Sequence, residues 1–197
     1  MDITGITSID RKEAFRYMGF RGKTPDESFL ALVDECEKEI LKVARPKCVF
    51  RIFDILSRDE GIHLDGASLV LTGHNIQNLL KNSSRAAVFA VTLGAGVDFL
   101  IRRMEAKDVT LGFITDFLAS AMVEQLCDRT EEEILKNLDE GKRLTTRFSC
   151  GYGDLPLSLQ KDFLASLNAS RQIGLCVTDT SIMTPRKSVT AVAGVLD

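Results

Sequence analysis

Apolar residues recur along the chain at two spacings, one helical and one extended. From residue 25 to about Ala44, the helical spacing predicts a helix that Thr24 caps and that Pro46 ends. Residues 48–56, CVFRIFDIL, are rich in branched and aromatic side chains and predict a β-strand. The inward face of the helix is predicted to carry five apolar side chains, namely Phe29, Leu32, Val33, Ile40 and Val43.

Turn signals separate further apolar segments. Gly61 and Gly66 predict a hairpin, and Thr72 is predicted to cap the short helix that follows it. Residues 86–93, AAVFAVTL, form a continuous apolar run that predicts a buried strand. Later segments predict helices over about 97–105, 110–138 and 158–168, and strands at 143–149, 172–179 and 187–194.

The order of these elements indicates the fold class. Strands and helices mix without a strict β-α-β alternation, which favours an α+β fold with a mainly antiparallel sheet flanked by helices. The 197 residues, 45% of them hydrophobic, are enough for one packed core. We therefore expect a single domain over residues 1–197, with residues 1–20 as a candidate N-terminal arm.

Composition argues against several classes of function. The formal charge of -3, with basic residues scattered along the chain, predicts no nucleic-acid partner. No apolar run approaches the roughly 20 residues that cross a bilayer, and the N-terminus lacks a signal pattern, so we expect neither a membrane partner nor secretion. The five cysteines include no C-x-x-C pair, which argues against zinc, iron–sulfur and dithiol chemistry. These features predict a cytoplasmic protein with reduced thiols.

A glycine-containing turn follows the buried strand at Gly94 and Gly96. It is similar to the nucleotide-binding turn of class I methyltransferases and dinucleotide-binding folds, in which glycines let the backbone approach the ligand. The third glycine position is Phe99, however, and the rest of the chain does not continue as β-α units. A plain strand-to-helix turn is favoured, with an independent class I methyltransferase as the alternative.

A polar stripe interrupts the long apolar helix predicted at 110–138. Asp116, Ser120 and Glu124 are spaced four residues apart and so lie on one helical face. A carboxylate on an apolar helix needs a partner or water. Two interpretations stay open: the stripe is an exposed edge of the helix, or Glu124 faces a cleft and contacts a ligand amine, ribose or cation.

Three separate motifs share one order along the C-terminal part of the chain. They resemble the activation domain of cobalamin-dependent methionine synthase, and the likeness covers residue 110 to the C-terminus. Cys150 departs from the family, which often has proline at that position. The motifs are A-x-A-x-x-E (Ala119, Ala121, Glu124), R-x-x-x-G-Y (Arg147, Gly151, Tyr152) and M-x-P-x-x-S-V-S (Met183, Pro185, Ser188, Val189, with Thr190 for the last serine).

This resemblance implies a C-shaped α+β domain that binds S-adenosylmethionine on its inner surface. It implies that Arg147 binds the methionine carboxylate and that Glu124 accepts from the amino group. At Ser149 the main chain is expected to contact the ligand, and Gly151 is expected to let the main chain approach the adenine or ribose. The ring of Tyr152 would form a wall of the site.

The same resemblance implies a role in the reductive remethylation of cob(II)alamin. The chain lacks the D-x-H-x-x-G cobalamin signature, so the cobalamin is expected on a separate methionine synthase catalytic chain, with a flavodoxin-like or other protein as electron donor. The sequence leaves open whether the chain is an enzyme by itself or a component of a methyltransferase activity. The alternative is a docking or reactivation module for another corrinoid methyltransferase, without S-adenosylmethionine binding of its own.

Overall fold

The computed structural model describes residues 5–20, 22–23 and 25–197. A short 3-10 turn, Leu157–Leu159, precedes the sixth helix. The helices and strands, in chain order, are α1 (Arg11–Tyr17), α2 (Glu27–Val43), β1 (Lys47–Ser57), β2 (Ile62–Leu64), β3 (Val70–Leu71), α3 (His74–Leu80), β4 (Arg85–Thr92), α4 (Ala95–Lys107), α5 (Val109–Lys136), β5 (Arg143–Leu144), α6 (Gln160–Ser166), α7 (Ala169–Ile173), β6 (Cys176–Val177), β7 (Met183–Thr184) and β8 (Ser188–Leu196).

Six strands form one curled antiparallel sheet in the order β3-β2-β1-β4-β8-β5. Central strand β4 pairs along its whole length with β1 on one side and β8 on the other. Both of its faces are covered, which explains why residues 86–93 read as a continuous apolar run rather than an alternating one. Strands β6 and β7 form a separate hairpin. The predicted α+β class with a mainly antiparallel sheet is confirmed.

Apolar side chains fill both faces of the sheet. One core contains residues of α1, α2, α4 and α5, and the other contains residues of β2, β3, α3, α6 and α7. Neighbouring residues of β8 point into different cores, with Ala191 in the first and Val192 in the second. This alternation follows from the two-residue period of a strand. Residues close to β8 can therefore come from helices on opposite sides of the sheet.

Helix α5 is 28 residues long and forms the centre of the first core. Leu118, Met122 and Leu126 are buried on it. The helix itself was predicted, but the expectation that no apolar segment approaches membrane-spanning length was wrong: among the described helices, α5 alone is long and apolar enough to cross a membrane by length and composition. Its contacts with the sheet and with α1, α2 and α4 account for that apolar character. The N-terminal segment also belongs to this core, because Ile9 and Ala14 are buried in it.

The start of α2 differs in detail from the prediction. Asp26 is the N-cap, and its carboxylate accepts from the N–H of Phe29 at 2.8 Å. Thr24, the predicted cap, lies outside the described residues. Val33 and Ile40 are fully buried, as predicted. The other three predicted inward residues are half-buried and pack against the first core, namely Phe29, Leu32 and Val43.

The start of α3 corrects a second prediction. Thr72 does not cap this helix: Gly73 occupies the N-cap position, where it has no side chain to offer. The carboxylate of Asp154 accepts from the N–H groups of His74 and Asn75, at 2.6 and 3.1 Å. Two predicted strands are also shorter than expected. The segment 143–149 pairs with β8 at Arg143–Leu144, through the N–H of Thr145 to the carbonyl of Gly194 at 2.9 Å, and at Phe148. The segment 172–179 is extended only at Cys176–Val177.

The glycine turn after β4 serves packing. Gly94 has a φ of 83° and begins α4, and a Cβ on Gly96 would lie 2.8 Å from the carbonyl oxygen of Val43. Such close approach of two backbones requires glycine. Because β4 runs antiparallel to both neighbours, the turn is not part of a parallel β-α-β unit. The plain strand-to-helix turn is confirmed.

Candidate functional site

A cavity of about 390 Å³ lies at the free edge of β8. Strand β5 pairs with that edge only near the C-terminal end of β8, and Phe148 adds one isolated bridge to Val192. Beyond this bridge the chain turns away from the sheet, so the edge of β8 stays open from Ser188 to Thr190. The cavity is lined by Glu124, Arg147, Phe148, Ser149, Cys150, Tyr152, Leu157, Gln160, Ser181, Met183, Ser188, Val189 and Thr190.

Arg147 joins the cavity to helix α5 through three carboxylates. Its Nη2 donates to Glu124 at 2.7 Å, and its Nη1 donates to Asp128 at 2.7 Å and to Glu131 at 3.1 Å. The three acidic residues are four and three residues apart, so they lie on one side of the helix. The sequence predicted that Arg147 and Glu124 belong to one site, but it did not predict that they would pair with each other.

The cluster of Arg147 with Glu124, Asp128 and Glu131 carries a formal charge of -2 when all four groups are ionised. Burial lowers the pKa of Arg147, but its hydrogen bonds to Asp128 and Glu124 raise this pKa by more, so the net shift is upward. Burial is the main cause that raises the pKa of Glu131, and Arg147 opposes that rise. The Oε1 atom of Glu131 is buried with no hydrogen-bond partner among the described residues. The net negative charge of the cluster therefore favours the approach of a cation over that of a further anion.

The first half of the polar stripe has a separate partner. Lys187 donates to Ser120 and forms an ion pair with Asp116, both at 2.9 Å. Asp116 lies partly in solvent, whereas Glu124 lines the cavity. Both interpretations of the stripe thus hold in part: one end is a partly exposed, salt-bridged edge, and the other faces a cleft.

The loop after Arg147 places the remaining predicted residues at different depths. Ser149 lines the cavity, and its carbonyl accepts from the N–H of Tyr152 at 3.2 Å. Tyr152 also lines the cavity but is 68% exposed, which places its ring at the rim. Gly151 is not among the lining residues. Its φ of 88° and its N–H bond to Leu155 give it a role in the turn, and its contact with a ligand stays a prediction.

Two residues of this loop hold its position against α3, and the sequence did not single them out. Asp154 caps α3, and its N–H hydrogen bonds lower the pKa of its carboxyl. Gly153 has a φ of 52°, and a Cβ there would collide with the amide of Asn75. Glycine, aspartate and proline close together indicate a turn, but the helix start that Asp154 caps lies about 80 residues away in sequence.

Gln160 is a further lining residue that the sequence did not indicate. It is 2% exposed, and its Nε2 donates to the hydroxyl of Thr190 at 2.8 Å and to the sulfur of Met183 at 3.2 Å. Thr190 and Met183 belong to the third motif, so that motif forms part of the cavity wall. Gln160 had no comparable signal, because an isolated glutamine in an amphipathic helix usually faces solvent.

Cys150 lines the cavity but is poorly suited to nucleophilic chemistry. Burial raises the pKa of its thiol to about 11, so the thiol is protonated at neutral pH. It packs in the second core. This environment indicates a structural role for Cys150.

The fold and the cavity together define an α+β domain with a charged cluster beside an open strand edge. The chain belongs to the family of vitamin B12-dependent methionine synthase activation domains, whose model matches residues 75–195, more than half of its length. Its fold is similar to that in the crystal structure of the MetH reactivation domain bound to AdoHcy. That likeness has a TM-score of 0.70 and 17% identity, and covers 94% of this chain and 73% of the other. Among curated proteins, none has a matching sequence.

Proposed function

We propose that this chain binds S-adenosylmethionine in the cavity at the edge of β8 and supports reductive remethylation of cob(II)alamin on a separate methionine synthase chain. The observation that carries the proposal is the adjacency of Glu124 and Arg147 at the cavity wall, 2.7 Å apart. A zwitterionic amino acid group needs one acceptor and one donor at such a spacing. The family and a similar domain bound to AdoHcy support the same ligand class.

The charged groups can serve this ligand without being released from one another. A guanidinium has five N–H hydrogens, and three hydrogen bonds to carboxylates leave two for a ligand carboxylate. Glu124 bonds Arg147 through Oε2, so its other oxygen can accept from the ligand ammonium. The net negative charge of the cluster also suits the sulfonium, which carries a positive charge before transfer and none afterwards.

The reaction divides between two chains. The partner chain would supply a cobalamin as the methyl acceptor, and an outside donor of the flavodoxin-like class would supply the electron that reduces it. The carbon–sulfur bond of the sulfonium breaks, its electron pair stays on sulfur, and S-adenosylhomocysteine remains in the cavity. On this chain Glu124 and Arg147 orient the amino acid end, while Tyr152 at the rim shields the ligand from solvent. By this proposal the chain contributes the methyl donor site to a cytoplasmic activity that it does not complete alone.

Titration calorimetry with S-adenosylmethionine tests the binding step. We expect Arg147→Ala to weaken binding about 10- to 100-fold, because a charge-assisted hydrogen bond contributes about 1.5–3 kcal/mol. Arg143→Ala is the matched control, since Arg143 lies on the same segment, is exposed and does not line the cavity. Absence of binding by the unaltered protein at millimolar ligand would contradict the proposal and favour the docking module.

A reactivation assay tests the second step. The protein is added to an oxidised methionine synthase chain that lacks its own activation domain, together with S-adenosylmethionine and a reductant. We expect methionine synthesis to return in proportion to the added protein and to fail with Arg147→Ala. Binding without reactivation would point to a different corrinoid partner.

A further inference from the structure

Glu131 is the least well-paired carboxylate of the Arg147 cluster. Its Oε2 accepts from Nη1 of Arg147 at 3.1 Å, whereas Glu124 and Asp128 each bond Arg147 at 2.7 Å. Its Oε1 is buried and has no hydrogen-bond partner among the described residues. Arg147 lines the cavity, but Glu131 does not. Glu131 therefore adds its charge to the site from behind Arg147, without contact with a ligand in the cavity.

The ionisable groups that interact with Glu131 come from the cluster and from its own helix. They are Arg147 in the loop after β5 and, on α5, Glu124, Cys127 and Asp128. Burial raises the pKa of the Cys127 thiol, which keeps that thiol neutral. The two carboxylates have the same charge as Glu131, so Arg147 is the group of this set that stabilises its ionised form.

The described elements beside this part of α5 direct their charges elsewhere. Strand β8 has no ionisable side chain along Ser188–Leu196. Arg143 of β5 donates to the C-terminal main-chain carbonyl. The hydroxyl of Tyr17, at the end of α1, interacts with Glu124. The charge state of Glu131 therefore sets the formal charge of the cluster, which is -2 when Glu131 is ionised and -1 when it is protonated.

This difference in charge acts on one part of the ligand. S-adenosylmethionine and S-adenosylhomocysteine carry the same amino acid group, and they differ in the methyl group and the positive charge of the sulfonium. A more negative cluster attracts the sulfonium more strongly. For two unit charges about 10 Å apart at an effective dielectric constant of about 30, Coulomb's law gives a factor of about 5 in affinity.

We propose that Glu131 is a specificity-determining residue outside the cavity, whose ionisation strengthens the preference for S-adenosylmethionine over S-adenosylhomocysteine about fivefold. This inference rests on the proposed function and names the residue that regulates its ligand preference. Linkage requires the reverse effect as well, so the methyl donor favours ionised Glu131 and the product favours protonated Glu131. As the sulfonium charge disappears on methyl transfer, the carboxylate of Glu131 takes up a proton from solvent.

The preference for the methyl donor is expected to rise with pH. Burial raises the pKa of Glu131 above its ordinary value of 4.5, which moves its titration towards neutral pH. Below that pKa Glu131 is protonated in both complexes, and the ratio of the two affinities has its lower value. Above it Glu131 is ionised in both complexes, and the ratio has its higher value.

Titration calorimetry between pH 5 and pH 7.5 measures the affinity of both ligands. Glu131→Gln keeps the shape of the side chain and an acceptor for Arg147 but removes the ionisation. We expect the affinity ratio of the unaltered protein, divided by that of Glu131→Gln, to rise about fivefold across this range. Glu132→Gln is the matched control, because Glu132 is the next residue of α5 and is exposed, and it is expected to behave like the unaltered protein. Groups of the ligands titrate alike with all three proteins, so the comparison isolates Glu131.

The side-chain carboxyl carbon of Glu131 gives a second measure that needs no substitution. Its ¹³C NMR shift, followed against pH in each complex of the unaltered protein, reports the ionisation of this one group. We expect a lower pKa of Glu131 in the S-adenosylmethionine complex than in the S-adenosylhomocysteine complex, because the sulfonium favours the carboxylate.

The outcomes separate this inference from the proposed function. A pH-dependent ratio that is lost in Glu131→Gln supports it, as does the lower pKa in the complex with the methyl donor. Equal ratios in the unaltered protein and Glu131→Gln at every pH, or equal pKa values in the two complexes, overturn it and leave the proposed function standing. Absence of binding of both ligands overturns both. If Glu131→Gln does not fold, the NMR comparison on the unaltered protein decides.

Discussion

Replacing Arg147 with methionine should destabilise the fold as well as the site. The substitution keeps an unbranched apolar side chain of similar length and removes the charge that faces three carboxylates. Glu124, Asp128 and Glu131 would then lie together on one side of α5 without a cation. The cost comes from their mutual repulsion and from the desolvation of the most buried member.

The magnitude follows from the exposure of each pair. The side chain of Asp128 is 62% exposed and that of Glu124 is 36% exposed, so each of these two pairs contributes about 0–1 kcal/mol. Glu131 is 23% exposed and its second oxygen has no described partner, so its bond to Arg147 contributes about 1.5–3 kcal/mol. We therefore expect the free energy of unfolding at pH 7 to fall by about 2–4 kcal/mol.

The loss should depend on pH with a definite sign. Burial raises the pKa of Glu131 in the folded protein, so its ionisation destabilises the fold as the pH rises through that pKa. Without Arg147, which opposes the shift, the pKa rises further and the cost of ionisation grows. Protonation of Glu124, Asp128 and Glu131 removes the repulsion. The difference between variant and unaltered protein is then largest near pH 7 and shrinks towards pH 4.

Urea unfolding at pH 7 and pH 4.5 measures both effects. With a slope of about 2 kcal/mol per molar urea, the expected loss lowers the midpoint by about 1–2 M at pH 7. Arg143→Met is the matched control, because Arg143 is exposed and donates only weakly, at 3.3 Å, to the C-terminal carbonyl. An unchanged midpoint at pH 7, or a difference that grows on acidification, would refute this account of the cluster.

Two further predictions concern the loop after Arg147. Gly153→Ala should destabilise the fold by about 1 kcal/mol more than Gly141→Ala in urea unfolding, because both have positive φ but only Gly153 faces a neighbour, Asn75. Equal losses would mean that Asn75 moves aside at no cost. With iodoacetamide at pH 8, exposed Cys176 should be alkylated well before Cys150, since a pKa of about 11 leaves about one thiolate in a thousand. Peptide mass spectrometry would contradict this if Cys150 reacted first.

Periodic apolar patterns predicted the elements that form the core. The run at 86–93 became the central strand β4, and the apolar helix at 110–138 became α5 with only a small error at each end. These patterns arise from burial, which acts on every residue of an element. The four-residue spacing of Asp116, Ser120 and Glu124 also gave one helical face correctly, because spacing within a helix is local information.

The features that the sequence did not reveal depend on contacts between distant segments. The cap of α3 comes from Asp154, and two of the three partners of Arg147 were not singled out before the fold placed them beside it. The open edge at Thr190 was also hidden, because it results from the early end of β5. The point at which a strand ends is marked by no distinctive residue, so an unpaired position on the neighbouring strand is harder to predict than a paired one.

If S-adenosylmethionine binds as we propose, the Arg147 cluster links the stability of the domain to the state of that ligand. The same guanidinium holds three carboxylates of α5 and faces the cavity, so a ligand carboxylate that binds it adds a fourth acidic partner. The ammonium and sulfonium of S-adenosylmethionine compensate for that added charge. After methyl transfer the sulfonium charge is lost, and the cluster keeps one more uncompensated negative charge than before. In the proposed complex, the electrostatics of this site therefore favour the methyl donor over its product, which would assist exchange of the spent ligand between reactivation events.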